Sequence, residues 1–118
     1  MYTPVITGTG VFTPENTISN AELVKAFNAY ADKFNAENAA DIDAGTLDAK
    51  PHSSEEFIFK ASGIESRYVI DKEGILNPDV MHPLLEQRGD DQPSLMAEMG
   101  LDAARKALKA AGKTAADV

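Results

Sequence analysis

The sequence predicts an α/β fold, on three observations. Val5, Ile6, Thr7 and Thr9 open the chain with an apolar, β-branched run that reads as a strand. The run is too apolar to keep one face wet, so it is expected to be buried on both sides, in a sheet covered by helices. Most of the remaining chain has helical spacing, with a second short strand only at Arg67 to Ile70. One long-buried strand, one short strand and three helices are therefore expected. Two strands so far apart in sequence do not make a stable sheet, so sheet partners outside these residues are expected too.

Composition bounds the function. A chain of 118 residues suits one ordinary domain, and 43% hydrophobic with 25% charged residues is a globular balance. No run approaches the roughly 18 apolar residues of a membrane helix. The N-terminus runs straight into the strand with no basic region, so no signal peptide is expected and the cytoplasm is the default location. A net charge of −8 argues against nucleic acid and anionic membrane as partners. With no cysteine, disulfides, thiolate–metal sites and a cysteine nucleophile are excluded within these residues.

Each element has its own local signal. Gly8 and Gly10 allow close approach of another backbone or a positive φ at the strand end, and Pro14 cannot continue a central ladder. Ser19 and Glu22 form a capping box that starts a helix over residues 20–38. Leu23, Phe27, Tyr30 and Phe34 give it one apolar face, read as core packing. Residues 41–52 read as a polar loop. Asp41 and Asp43 hint at a calcium loop, but Ala44 stands at its fifth position and His52 at its twelfth, where a bidentate Glu is required. Ser53 and Glu56 read as a second capping box, opening a short helix over residues 54–62 that Gly63 stops. Residues 72–91 are loop-like, with a turn of helix expected around Pro83 to Gln87. From Pro93 a helix is expected with Ala97, Leu101, Ala104, Leu108 and Ala111 on one face and Gly112 as its C-cap. Its small residues, Ala97, Gly100, Ala103, Ala104 and Ala107, predict close packing against another element.

Two binding motifs fail on inspection. Gly8-Thr9-Gly10 is not a dinucleotide fingerprint, because Thr13 and Pro14 occupy the next required positions and no helix starts there. Pro93-Ser94-Leu95 follows Gln92 rather than an acid, which argues against a phosphopantetheine attachment serine. A small acidic helical interaction module remains the competing reading, though it leaves residues 5–10 unexplained.

Three blocks of sequence carry a resemblance. Met1 to Gly10, Pro14-Glu15 and Asn20-Ala21-Glu22-Leu23 resemble the start of a β-ketoacyl-acyl-carrier-protein synthase III. So do Glu55-Glu56-Phe57-Ile58, then Ser62-Gly63-Ile64-Glu65-Ser66-Arg67, and the block from Met99 to Gly112. The resemblance implies the N-terminal segment of a thiolase-like fold over residues 1–118, with insertions near 28–50 and 75–93. The remaining polypeptide of the enzyme would lie elsewhere, and the complete enzyme would be a homodimer. It implies a condensing acyltransferase of fatty acid biosynthesis. An acyl group passes from coenzyme A to a cysteine and is then joined to malonyl-acyl-carrier protein with loss of carbon dioxide. Another thiolase-superfamily condensing enzyme is the close second.

None of the family's Cys, His and Asn catalytic residues maps onto this chain, so no catalytic and no metal residues are expected here. His52 and His82 read as solvent-facing loop histidines. No permanently bound cofactor is expected; the coenzyme A thioester is a substrate. In the family a Trp and an Arg, four residues apart on the short helix, sandwich the coenzyme A adenine. Phe57 matches the first and Ala61 the second. Phe57, Ala61 and Ser53 are thus the coenzyme A positions that the resemblance implies. Phe57 can still stack, but Ala61 offers neither charge nor plane. This departure and the two insertions point to a longer acyl-CoA donor than acetyl-CoA. A core-facing anchor for the short helix stands beside the binding role as a reading of Phe57.

Overall fold

A computed structural model describes residues 3–118. It divides into two units: Pro14–Leu85, and the opening segment up to Thr13 together with Glu86–Val118.

In the unit Pro14–Leu85 the order is β1 (Asn16–Ser19), α1 (Asn20–Glu37), α2 (Ala39–Asp43), α3 (Glu55–Ser62), β2 (Ser66–Val69) and α4 (Glu73–Leu76). The two strands pair antiparallel, Asn16 opposite Val69 and Ser19 opposite Ser66. Ile18 of β1 is fully buried, and Ala26 and Ala31 of α1 are the other buried apolar residues of this small core. The expected capping box is present: the Ser19 hydroxyl accepts the Glu22 amide at 3.2 Å, and the Glu22 carboxylate accepts the Ser19 amide at 2.9 Å. Lys72, 2.5 Å from that carboxylate, and then the Ser19 amide hold the Glu22 pKa down at about 2. Buried Asn20 closes the unit. Its side-chain amide donates to the Ile64 carbonyl at 2.7 Å and accepts from Arg67 at 2.6 Å.

The other unit holds α5 (Leu95–Ala111), capped by Ser94, and a 3-10 turn, Ala115–Asp117. Gly63 (φ 68°) and Gly112 (φ 65°) end α3 and α5 in the left-handed conformation, as expected of C-cap glycines. The opening segment lies against α5. A Cβ on Gly8 would come 2.7 Å from the Ala111 amide nitrogen and closer still to the Ala107 carbonyl. One on Gly10 would meet the Ala103 carbonyl and the Ala107 nitrogen. The close approach expected of these glycines and of the small-residue helix face is therefore made between these two segments.

Several expectations are corrected. The long-buried strand at residues 5–9 is absent: residues 3–14 join no ladder, and Val5 and Ile6 are 76% and 88% exposed. Burial on both faces needs neighbouring strands and covering helices, and no strand flanks it among the described residues. The mixed helix and sheet character stands, but its sheet is the pair β1–β2. β1 had no local signal; its partner lies some fifty residues away. Ser54, not Ser53, caps α3, accepting the Phe57 amide at 3.1 Å. The expected loop at residues 41–52 begins as α2, because Ala39 and Ala40 let the chain re-enter helix after Asn38. No helical turn forms at residues 83–87; the Leu84 amide is taken by the Asp71 carboxylate, and the turn sits earlier, as α4. On α5, Ala97, Leu101 and Ala104 of the expected face are exposed, and the packed side is that of Ala103 and Ala107.

Candidate functional site

One apolar groove stands out in the unit Pro14–Leu85. Leu23 and Phe27 of α1 form one wall, and Phe57 and Ile58 of α3 the other. Pro51 to Ser54 and Met81 complete the lining. Its volume is about 560 Å³, within the usual range of small-ligand sites. Its few polar groups come from His52, Ser53 and Ser54.

The walls follow from local sequence. The α1 stripe of Leu23, Phe27, Tyr30 and Phe34 is mostly but not fully buried, each of the four keeping a minor part of its surface open. Leu23 and Phe27 face the groove, while Phe27, Tyr30 and Phe34 stack in tilted pairs, each 6.3 Å between centroids. Lys50 covers the far end of the stripe, its ammonium 4.4 Å from the Phe34 ring centre and 5.7 Å from that of Tyr30. Phe57 sits in the first turn of α3 and keeps 66% of its surface exposed.

The segment between α2 and α3 has no secondary structure of its own near the groove, yet it is fastened. Asn28 donates to the Ser53 carbonyl at 3.2 Å and accepts the Ser53 amide at 2.8 Å. Asn35, seven residues on and so on the same helix face, brackets Lys50 in the same way at 2.9 and 2.8 Å. Each side chain thus replaces a strand partner for one residue of the segment. His52, within it, pairs with Asp32 at 2.6 Å and leaves 56% of its side chain to solvent, in keeping with the expected loop histidine.

Met81 adds a thioether to the lining. It is the one non-glycine residue with positive φ (57°) among the described residues. For a side-chain-bearing residue that conformation costs about 1–2 kcal/mol. A turn fixes it: the amides of Val80 and Met81 both donate to the Asn77 carbonyl, and Asp79 pairs with Lys33 of α1. Nearby, Asp71 accepts the amides of Leu84, Gly74 and Glu73, which hold its carboxyl below the usual range.

Of the residues expected at a site, Phe57 and Ser53 line the groove and Ala61 does not; it is exposed on α3 outside the lining. Neighbouring Lys60 is engaged by Glu56 at 2.6 Å. Sequence reasoning missed Met81, Asn28 and Asn35. Only the seven-residue spacing of the two asparagines was a visible signal. Among the described residues no three His, Cys, Asp or Glu side chains come together in a metal-binding group, and no helix is long and apolar enough to cross a membrane.

No protein-family model matches the chain. Two curated proteins do. It is 46% identical over 95 residues, 80% of its length, to a β-ketodecanoyl-[acyl-carrier-protein] synthase of Pseudomonas aeruginosa, and covers 27% of that protein. It is 29% identical over 114 residues, 97% of its length, to a β-ketoacyl-[acyl-carrier-protein] synthase III of Caulobacter vibrioides, and covers 22% of that one. The chain thus spans about a quarter of the length of the curated relatives it matches.

Proposed function

From this kinship to β-ketoacyl-acyl-carrier-protein synthases, we propose that the chain is the coenzyme-A-facing segment of such a condensing acyltransferase of fatty acid biosynthesis. The identity of 46% across four fifths of the chain carries the reading. In it, residues 1–118 belong to the N-terminal domain of a thiolase-like fold, with insertions near 28–50 and 75–93, acting in the cytoplasm as part of a homodimer. The chain holds no cysteine, so the acylated thiolate and its activating groups lie on the remaining polypeptide. Malonyl-acyl-carrier protein is the second substrate.

This segment's part is to hold the acyl-CoA donor. The groove beside α3 receives the adenine, with the exposed ring of Phe57 as its platform and Ser53 and Ser54 as polar edge groups. The mostly apolar lining suits a base, and Glu55 in the first turn of α3 disfavours phosphates beside it. Ala61 takes no part. A ten-carbon β-ketoacyl product, as in the name of the Pseudomonas relative, would need an eight-carbon donor here, because malonyl adds two carbons after decarboxylation.

Stacking a base on an aromatic ring is worth about 1–3 kcal/mol in single-stranded nucleic acid complexes. Phe57→Ala in the assembled enzyme should therefore raise KM for octanoyl-CoA about tenfold relative to that for octanoyl-pantetheine, which lacks the nucleotide. Equal damage to both donors, with a lowered melting temperature, would instead make Phe57 a packing residue and remove the adenine from the groove.

A further inference from the structure

We propose that Met81 is the second half of the base-binding clamp, a specificity-determining residue supplied by the insertion near 75–93 in place of the missing cation at Ala61. The inference rests on the donor reading above. Three observations lead to it. First, Met81 lines the groove that Phe57 also lines, so a flat ligand entering there meets a ring and a thioether. A polarizable sulfur at about 5 Å makes a favourable contact with an aromatic ring, and adenine offers such a ring.

Second, Met81 occupies a left-handed backbone position that glycine would adopt without strain. Strain of this kind persists where surrounding structure over-determines it, and such sites cluster at ligand clamps. Here the turn on Asn77 and the Asp79–Lys33 pair both fix the backbone. The only group gained over glycine is the side chain, and it lines the groove. Third, the Lys33–Asp79 pair joins the two insertions, one at each end, and the first of them also carries the asparagine brackets of residues 50 and 53. The insertions are thus tied to each other and brace the groove, to whose lining they contribute Met81.

The test compares octanoyl-CoA with octanoyl-pantetheine in the assembled enzyme bearing Met81→Gly, Met81→Leu or Phe57→Ala. Met81→Gly should raise KM for octanoyl-CoA relative to octanoyl-pantetheine by about three- to tenfold. Its melting temperature should hold or rise, since the backbone strain is relieved. Met81→Leu, which keeps the apolar volume but loses the sulfur, should recover only part of the lost discrimination. Full recovery would mean that apolar filling and not the thioether does the work, and the thioether clamp would fall. If Met81→Gly lowers stability and affects both donors alike, Met81 is a packing residue and the inference falls. If Phe57→Ala separates the two donors and Met81→Gly does not, the inference falls while the donor reading stands. If Phe57→Ala fails to separate them, or no acyl-CoA is used at all, both fall.

Discussion

Asn28 and Asn35 show how single side chains stand in for a missing sheet. Each spends both ends of its amide on the backbone of one residue, Ser53 or Lys50, and so satisfies a donor and an acceptor that would otherwise seek water. Two hydrogen bonds at about 0.5–1.5 kcal/mol each put the hold on Ser53 at about 1–3 kcal/mol. Asn28→Ala in the assembled enzyme should accelerate amide exchange at Ser53 about tenfold or more while leaving α5 amides unaffected. Asn28→Asp, which keeps the acceptor alone, should fall between. Unaltered exchange at Ser53 in Asn28→Ala would show that the segment is held by something other than this bracket. At this scale the sequence was legible where the chemistry is local. The capping box of Ser19 and Glu22 and the glycine stops are read from neighbours three or four residues apart. The brackets span 15 and 25 residues, and the turn that sets the left-handed backbone of Met81 is local to Asn77 but is pinned by the distant Lys33, so no local pattern announces them in full.

At the scale of elements, the three longest helices and the strand β2, expected at Arg67 to Ile70 and found at Ser66–Val69, were read well, while the other strand was misplaced, for one reason. A helix satisfies its backbone internally, so α1, α3 and α5 are encoded by spacing and caps within their own residues. A strand is defined by its partner. β1 carries only Thr17 and Ile18 as β-formers, yet it pairs; residues 5–9 are stronger β-formers, yet no ladder reaches them. What the opening segment does have is glycine at the two places where it crosses the backbone of α5. Lys106 adds a hydrogen bond to the Val11 carbonyl at 3.2 Å. Gly10→Ala would place a methyl against the Ala103 carbonyl and the Ala107 nitrogen, helix backbone that cannot yield. Limited proteolysis should then cut within residues 3–13 faster than in the parent. Gly100→Ala is the control on the same helix: its Cβ meets nothing within 4 Å, and the substitution should stabilise α5 by about 0.8–1 kcal/mol. Equal protease resistance in Gly10→Ala and Gly100→Ala would refute the close packing of the opening segment on α5.

At the scale of the whole chain, the core is too small for the surface it must hold. Ile18, Ala26 and Ala31 are the buried apolar residues among those described, and all three lie in the unit Pro14–Leu85. The other unit buries none among the described residues, and leaves Val5, Ile6, Val11 and Met96 more than 70% exposed. Ordering each residue's backbone costs about 1–2 kcal/mol of conformational entropy, and apolar burial is the main term that offsets it. One fully buried isoleucine and two alanines, with the partly buried stripe of α1, make a small offset for two units, whereas the helices retain their own hydrogen bonds and caps. The 118-residue chain alone should therefore show helical far-UV circular dichroism without a sharp thermal transition, and should bind a hydrophobic dye as loosely packed states do. Mixed with the polypeptide that completes the proposed synthase, it should gain one cooperative transition and lose the dye signal, as strands pair with residues 5–9 and cover Val5 and Ile6. A sharp transition of the chain alone, with dispersed side-chain NMR signals, would show that the small core suffices and that no further polypeptide is needed to fold it.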